Sequence, residues 1–302
     1  MAFLRTILAL TRPGQLTTVW SNCLAGWWLG HAGNAERVPW LLAGATFLFL
    51  GGEFLNECFA AGLDQQQQRY RPIASGTVSR KTLWNSGLAS LVAGALILLC
   101  LGEVSGGLGL ALVFFLVLYS TVHRLIRFGP VLLGICRFFL YVLGASIAAR
   151  GVTGWAIWCG LALGAYVSGL AYLAKRSAES QLCAKLPSPA KAEAPRSNHT
   201  RSWTRYWPAV LLGIPILLAL LMNAGRYREP ALLLSAILAL WLLLCLRQLF
   251  WQPGQDTSRG LSGLIAGIVL VDWLAVADAP RELSLIFLAL FLITLLLRRF
   301  GS

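Results

Sequence analysis

The sequence contains few charged residues, and acidic residues are especially scarce. Only 12% of the 302 residues are charged, with 12 Asp and Glu against 25 Lys and Arg. Soluble domains carry roughly 25% charged residues, so this composition excludes an ordinary soluble protein. Apolar stretches of about 18 or more residues recur, each long enough to cross a bilayer as a helix. The sequence therefore predicts an all-α, polytopic transmembrane helical bundle that forms one integral membrane domain over residues 1–302.

Other absences exclude further classes of protein. The seven cysteines are scattered and odd in number, without the spacing of a disulfide framework or of a zinc site. No basic patch carries interleaved aromatic residues, so we expect no nucleic-acid partner. The first apolar stretch has no convincing small-residue cleavage site, which favours a retained helix over a signal peptide.

Ten apolar segments are candidate spans, and residues 176–205 form the longest non-apolar segment. The ninth span is the weakest because it contains Asp272 and ends in a polar turn, so the predicted number is nine or ten. Residues 176–205 are predicted to form a mobile cytoplasmic loop between the sixth and seventh spans. The ten candidates are 16–32, 40–62, 83–102, 106–122, 130–150, 154–174, 206–223, 230–249, 260–277 and 282–298.

The basic residues predict the orientation of the bundle. With ten spans, 19 of the 25 Lys and Arg fall on one side, 5 fall on the other, and Arg137 lies within a span. Loops rich in Lys and Arg face the cytoplasm. We therefore expect both termini in the cytoplasm if there are ten spans, and the cytoplasmic membrane of a bacterium as the location.

The end of the second span concentrates polar side chains. Glu53, Glu57 and Asp64 share one helix face, where carboxylates can hold a hard divalent cation. Arg71 follows, and its planar guanidinium suits phosphate oxygens. These residues indicate a site for a metal-bound diphosphate. An ordinary polar loop, with arginines that only set topology, fits the same residues.

The same stretch resembles the first Asp-rich motif of the UbiA superfamily of membrane-embedded prenyltransferases, of the 4-hydroxybenzoate polyprenyltransferase-like kind. That motif reads N-D-x-x-D-x-x-x-D and is followed by R-P-I-x-S-G. Its spacing is intact here, but Glu replaces the first acid and Ala the middle one. The matching positions are Asn56, Glu57, Ala60, Asp64, Arg71, Pro72, Ile73, Ser75 and Gly76.

Other segments resemble the same family, over roughly residues 10–180. The stretch TRPGQLTTVWSNCLAGWWLG, which contains Asn22, resembles the first helix. The stretch YSTVHRLIRFGPVLLGICRFFLYVLGA resembles the fourth-to-fifth helix connection, with His123 and Arg124 in the loop and Arg137 in the fifth helix.

The second Asp-rich motif of the family, D-x-x-x-D, follows the sixth helix. The stretch GLAYLAKRSAES occupies this place, and Lys175 and Glu179 have the motif spacing. Lys175 therefore occupies the position at which the family motif has its first Asp.

The resemblance implies transfer of an isoprenyl group from a polyprenyl diphosphate to a small acceptor, aromatic or of another kind, at the cytoplasmic face of the lipid bilayer. Mg²⁺ is the implied cofactor, bridging the phosphates to carboxylates. The implied metal ligands are Glu57, Asp64 and Glu179. The implied catalytic residues are Asn56, Glu57, Asp64, Lys175 and Glu179. The implied substrate-binding residues are Asn22, Arg71, His123, Arg124 and Arg137.

The changed acids leave a second hypothesis open. Ala60 and Lys175 each remove a metal ligand, as expected of a catalytically degenerate UbiA-fold protein. Such a protein would act in lipid or isoprenoid binding, in transport, or as an accessory subunit. Arg137 is costly within a span unless it is paired, and its pairing with Asp272 or Glu53 is the alternative to a substrate role. His31 shows no partner in the sequence and is interpreted as a surface residue.

Overall fold

The computed structural model describes residues 13–63, 79–122, 126, 128–185, 203–222, 228–251 and 257–300. Within these ranges, side chains are described except at residues 60–63, 179–185, 203–206, 228, 251, 257 and 298–300. The regular elements of this part of the chain are ten α-helices and one 3₁₀ turn, Ala35–Arg37. The ten helices are α1 (Pro13–Leu29), α2 (Val38–Leu63), α3 (Arg80–Cys100), α4 (Glu103–Val122), α5 (Gly129–Ser146), α6 (Gly154–Lys185), α7 (Trp203–Met222), α8 (Arg228–Trp251), α9 (Thr257–Ala275) and α10 (Arg281–Phe300).

Each predicted span coincides with one helix, which confirms the polytopic all-α bundle. By length and composition, seven of the helices in the described ranges can cross a membrane. The outer helices expose large apolar side chains: Leu221 of α7 is 73% exposed and Leu243 of α8 is 66% exposed. Such exposure is unfavourable in water but fits contact with lipid chains. The protein is an integral membrane protein.

Helix α6 ends later than the sequence predicted. Residues 176–185 are helical, so the loop boundary at residue 176 is wrong by almost three helical turns. The segment after Lys175 is free of Gly and Pro as far as Pro187 and contains several good helix formers, so nothing local stops the helix. The rest of the predicted loop, 186–202, lies outside the described residues.

A close approach of α1 and α5 determines where the polar residues of both helices meet. A Cβ atom at Gly26 would overlap the carbonyl oxygen of Tyr141, and one at Gly144 would overlap the carbonyl oxygen of Cys23. Small residues at such positions allow two helix backbones to touch within a membrane. The contact brings Asn22 of α1 beside Arg137 of α5.

Consecutive helices run in opposite directions, so the bundle has two distinct ends. Gly51 of α2 packs on Gly87 of α3. Gly44, about two helical turns earlier in α2, packs on Leu98, which comes later in α3, so the two helices are antiparallel. Helices α2, α4 and α6 therefore finish where α1, α5 and α9 begin. We call this the basic end, because the described residues Arg80, Lys81, Lys175, Arg176, Arg247 and Arg259 lie there. The other is called the opposite end.

Candidate functional site

A cavity of about 670 Å³ lies at the basic end of the bundle. Helices α1, α2, α4, α5, α6 and α9 form its wall. Most of the wall is apolar and reaches toward the middle of the bundle. Its apolar residues include Val19, Ala45, Leu48, Leu112, Leu140 and Val167. A cavity of this kind suits a ligand with a long apolar part.

Seven polar side chains line the same cavity from five helices: Gln15, Glu53, Asn56, Tyr119, Ser120, Arg137 and Lys175. Asn56, Arg137 and Lys175 belong to the site predicted from the sequence. The amide oxygen of Asn56 is buried and accepts no hydrogen bond from the described residues. The ammonium of Lys175 lies 3.4 Å from the carbonyl oxygen of Ile126, which is a long contact. The Asn56 amide oxygen and the Lys175 ammonium are therefore available to a ligand in the cavity.

The other predicted residues fall in two groups. Asn22 is fully buried and lies one layer behind the cavity wall, where it contacts Arg137. Glu57 is half-buried on α2, next to Asn56, and is not part of the wall. The remainder are not described: Asp64, Arg71, His123 and Arg124 lie outside the described residues, and Glu179 lies in α6 without a described side chain. Their predicted roles stay predictions.

A buried carboxylate, Asp272 of α9, is the centre of a hydrogen-bond network behind the cavity. Its oxygens accept hydrogen bonds from the Ser21 hydroxyl at 2.5 Å, the Asn22 amide at 2.7 Å and the Tyr141 hydroxyl at 2.7 Å. All four side chains are fully buried. The carboxylate thus ties α9 to α1 and α5.

Arg137 joins this network to the cavity. Its Nη1 donates to Asn22 Oδ1 at 2.9 Å, and its side chain lines the cavity while being only 7% exposed. The two roles weighed from the sequence, pairing with Asp272 and facing a substrate, are therefore compatible. The pairing is indirect, because Asn22 bridges the guanidinium and the carboxylate.

Sequence reasoning missed Ser21 and Tyr141 as hydrogen-bond donors to Asp272, and Tyr119 as part of the cavity wall. Asn22 and Asp272 are 250 residues apart in the chain, so no local motif could link them. The available signal was the presence of polar side chains in apolar spans, since such groups need partners within the bundle.

The oxygen donors around Asn56 fit a hard divalent cation such as Mg²⁺. Glu53 and Asn56 line the cavity, and the Asn56 amide oxygen is buried without a donor in the described part of the protein. The described residues contain no group of three or more His, Cys, Asp or Glu that could hold a metal ion. Two of the three predicted ligands, Asp64 and Glu179, are outside the described side chains, so the predicted ligand set stays a prediction.

Two solved structures share this architecture. One, described as digeranylgeranylglyceryl phosphate synthase in membranes, aligns with 92% of this chain and 99% of its own, at 18% identity and a TM-score of 0.60. The other, an apo UbiA homolog from Aeropyrum pernix K1, aligns with 86% of this chain and 97% of its own, at 17% identity and a TM-score of 0.65. At these identities the likeness establishes the fold. A search of curated proteins gives no match.

The sequence itself matches the profile of the UbiA prenyltransferase family over residues 16–262. The match begins in α1 and ends early in α9, so it covers α2, α4, α5 and α6 completely and the other two helices of the cavity wall in part. It confirms the resemblance seen in the Asn56 and Lys175 segments. The chain belongs to the UbiA prenyltransferase family.

Proposed function

We propose that the protein is a prenyltransferase. It transfers an isoprenyl group from a polyprenyl diphosphate to a small acceptor, aromatic or of another kind, at the basic end of the bundle. One observation carries the proposal: a single cavity joins a long apolar wall to polar groups from Asn56, Arg137 and Lys175. A polyprenyl diphosphate has the same two parts, an apolar tail and an anionic head. Family membership supports this class of reaction.

Arg137 and Lys175 are the proposed cationic contacts of the diphosphate. The Arg137 guanidinium is oriented by Asn22, so it needs little rearrangement to meet a phosphate oxygen. Lys175 stands where the family has an acid, and its ammonium neutralises part of the charge on the leaving diphosphate directly. Arg71, His123 and Arg124 are assigned the same role by the family resemblance alone.

The proposed Mg²⁺ ligands are Glu57, Asp64 and Glu179, and Asn56 is the neighbour of Glu57 in α2. When bound, Mg²⁺ supplies charge stabilisation at the leaving oxygen. The apolar wall keeps water from the allylic cation that forms when the carbon–oxygen bond to diphosphate breaks. A nucleophilic atom of the acceptor then bonds to that carbon and releases a proton. Diphosphate, a proton and the prenylated acceptor are the products.

We also propose that the basic end faces the cytoplasm, where diphosphate substrates are supplied. The asymmetry of Lys and Arg supports this orientation. Labelling of single cysteines with a membrane-impermeant maleimide in intact cells tests it. A cysteine introduced at exposed Glu229, at the opposite end, should react from outside, and one at exposed Lys81, at the basic end, should not. The reverse pattern would contradict the orientation.

The function is tested with purified protein in detergent. We expect geranylgeranyl diphosphate to bind more tightly with Mg²⁺ than with a chelator, and diphosphate to be released when a suitable acceptor from a chemical panel is added. The acceptor that gives the fastest release identifies the acceptor class. Equal release in a chelated sample would contradict the proposed metal dependence.

A second candidate function follows from Ala60 and Lys175, which replace two acids of the family motifs. A protein with this fold that binds an isoprenoid diphosphate without turnover would carry or present the lipid to another protein. Tight binding without diphosphate release, across the whole acceptor panel, would favour this function over transfer.

A further inference from the structure

A second cavity, of about 440 Å³, lies at the opposite end of the bundle, between α1, α6, α7 and α9. It is far from Asn56 and Lys175 and shares no wall residue with the first cavity. Its wall combines aromatic, acidic and basic side chains, including Trp28, His31, Trp155 and Asp278. Prenyl transfer at the basic end makes no use of these groups.

One part of this wall suits a cation. Asp278 is exposed, and its Oδ1 accepts a hydrogen bond of 3.2 Å from the indole N–H of Trp28. Its other oxygen, Oδ2, takes no part in that bond. The ring of Trp155 lines the same cavity. The carboxylate attracts an ammonium group by charge, and the ring of Trp155 can add a cation–π contact.

Another part of the wall suits an anion. His31 lines the cavity, and its Nε2 lies 3.2 Å from Nη1 of Arg150, which lies beside the cavity wall and is not part of it. Both side chains are exposed. Arginine can bond two phosphate oxygens with its planar guanidinium, and imidazole can donate one further hydrogen bond. An ammonium and a phosphate can therefore be bound at the same mouth.

The backbone holds His31 in an unusual conformation. Four consecutive residues have positive φ: His31 at 69°, Ala32 at 47°, Gly33 at 78° and Asn34 at 48°. Such conformations are unfavourable for residues other than glycine and persist only when surrounding contacts impose them. Here the Ala149 N–H donates to the carbonyl oxygen of Ala32 at 2.6 Å. The imidazole is thus presented by a restrained turn.

The apolar side of the cavity continues into the membrane region of the bundle. Trp155, Leu274 and Ala275 also line a narrow crevice between α6, α7 and α9, together with Leu218 and Val271. Tryptophan at the end of a span is typical of the membrane–water interface. A ligand with a charged head at the mouth would therefore have its apolar part along the lipid-facing helices.

We propose that the cavity at the opposite end binds the head group of a zwitterionic phospholipid. Its ammonium meets Asp278, which Trp28 holds by a hydrogen bond, and the ring of Trp155. Its phosphate meets His31 and the adjacent Arg150. The site is independent of prenyl transfer. It places a structural lipid at the membrane surface remote from the diphosphate.

The test is native mass spectrometry of the full-length protein released from detergent, titrated with phosphatidylethanolamine, with phosphatidylglycerol and with soluble phosphoethanolamine. We expect one saturable equivalent of phosphatidylethanolamine. Each of Asp278→Asn and Arg150→Gln should weaken it about tenfold, the effect of losing one charge-assisted hydrogen bond. The matched controls Glu229→Gln and Arg37→Gln change exposed charges at the same end, outside the cavity, and should leave binding unchanged.

Three results would overturn the proposal. Equal affinity for phosphatidylglycerol, which has no ammonium group, would show that the ammonium is not recognised. Equal affinity for soluble phosphoethanolamine would mean that a free head group, and not a lipid, is the ligand. Unchanged lipid binding in both Asp278→Asn and Arg150→Gln would show that the lipid binds elsewhere. Thermal unfolding of each variant shows whether it is folded, and prenyl transfer by the folded variants should equal that of the unmodified protein.

Discussion

The buried network around Asp272 and the polar end of the cavity differ in how completely their groups are paired. Three donors from α1 and α5 saturate the Asp272 carboxylate. In the cavity, the Asn56 amide oxygen has no donor in the described part of the chain, and Lys175 has a contact of 3.4 Å. The network is complete without a ligand, whereas the cavity is not. Arg137 belongs to both, because its guanidinium donates to Asn22 and also lines the cavity. The network that stabilises the bundle therefore also orients a cationic side chain in the cavity.

Breaking the network should have the largest effect. Asp272→Ala leaves Ser21, Asn22 and Tyr141 without their shared acceptor in a fully buried place. We expect the free energy of unfolding to fall by about 3–5 kcal/mol, as when one partner of a buried charged pair is removed. Titration of the purified protein with a denaturing detergent measures the change.

The control for this variant is Glu229→Ala, which removes an exposed carboxylate from the start of α8. Its free energy of unfolding should change by no more than about 0.5 kcal/mol. If Asp272→Ala unfolds at the same detergent concentration as this control, the network does not hold α1, α5 and α9 together.

Removing the cation from the cavity should affect binding more than stability. Lys175→Ala should weaken geranylgeranyl diphosphate binding by about tenfold to a hundredfold, the range for a charged hydrogen bond. Lys81→Ala removes an exposed lysine at the same end, outside the cavity, and should bind as the unmodified protein does. Equilibrium binding to both variants distinguishes a specific contact from general attraction; equal losses would contradict the assigned role of Lys175.

A smaller effect is expected at Asn56. Because its amide oxygen has no donor in the described part of the protein, Asn56→Ala should change the free energy of unfolding by about 0.5 kcal/mol or less. The substitution also removes the amide N–H₂, which can donate to a diphosphate oxygen. Diphosphate binding should therefore weaken about tenfold, the low end for a hydrogen bond to a charged group. A large loss of stability with unchanged diphosphate binding would contradict this role. Asn56 would then stabilise the fold, as the Asp272 network does, and would not contact the ligand.

The smallest effect is expected from narrowing the cavity at Gly52. A Cβ there would lie 3.2 Å from Leu116 Cδ2, so Gly52→Leu occupies space in the wall. The preference for a C20 over a C10 diphosphate should fall about fourfold, the value of one buried methylene. Gly107→Leu, which adds the same side chain where nothing lies within 4 Å, should leave the preference unchanged. Competition binding with the two diphosphates measures both, and an equal fall in both variants would place the apolar tail elsewhere.

The fold could be predicted because membrane spans are determined by local properties. Length, apolarity and the spacing of Lys and Arg located all ten helices, including α9 in spite of Asp272. The late end of α6 was missed because polar composition was interpreted as loop, although residues 176–185 contain no helix breaker. In that segment, intrinsic helix propensity determined the structure and hydropathy did not.

The candidate site could be predicted only where a motif is contiguous. Asn56, Arg137 and Lys175 were found from segments of the family pattern, and all three line one cavity. The neighbours Ser21 and Tyr141 became visible only when the helices were packed. His31 was interpreted as a surface residue without a partner, whereas Arg150 lies beside it. Contacts between residues more than a hundred positions apart depend on packing that no single stretch of sequence contains.

The buried carboxylate of α9 also constrains how the protein enters the membrane. On its own, α9 would place Asp272 in hydrocarbon, at a cost of about 2.5–3.5 kcal/mol on insertion scales. The donors that offset this cost belong to α1 and α5, which are synthesised earlier. We therefore expect α9 to be retained in the bilayer only once those helices are already assembled, so that assembly of the N-terminal helices precedes stable insertion of the C-terminal ones.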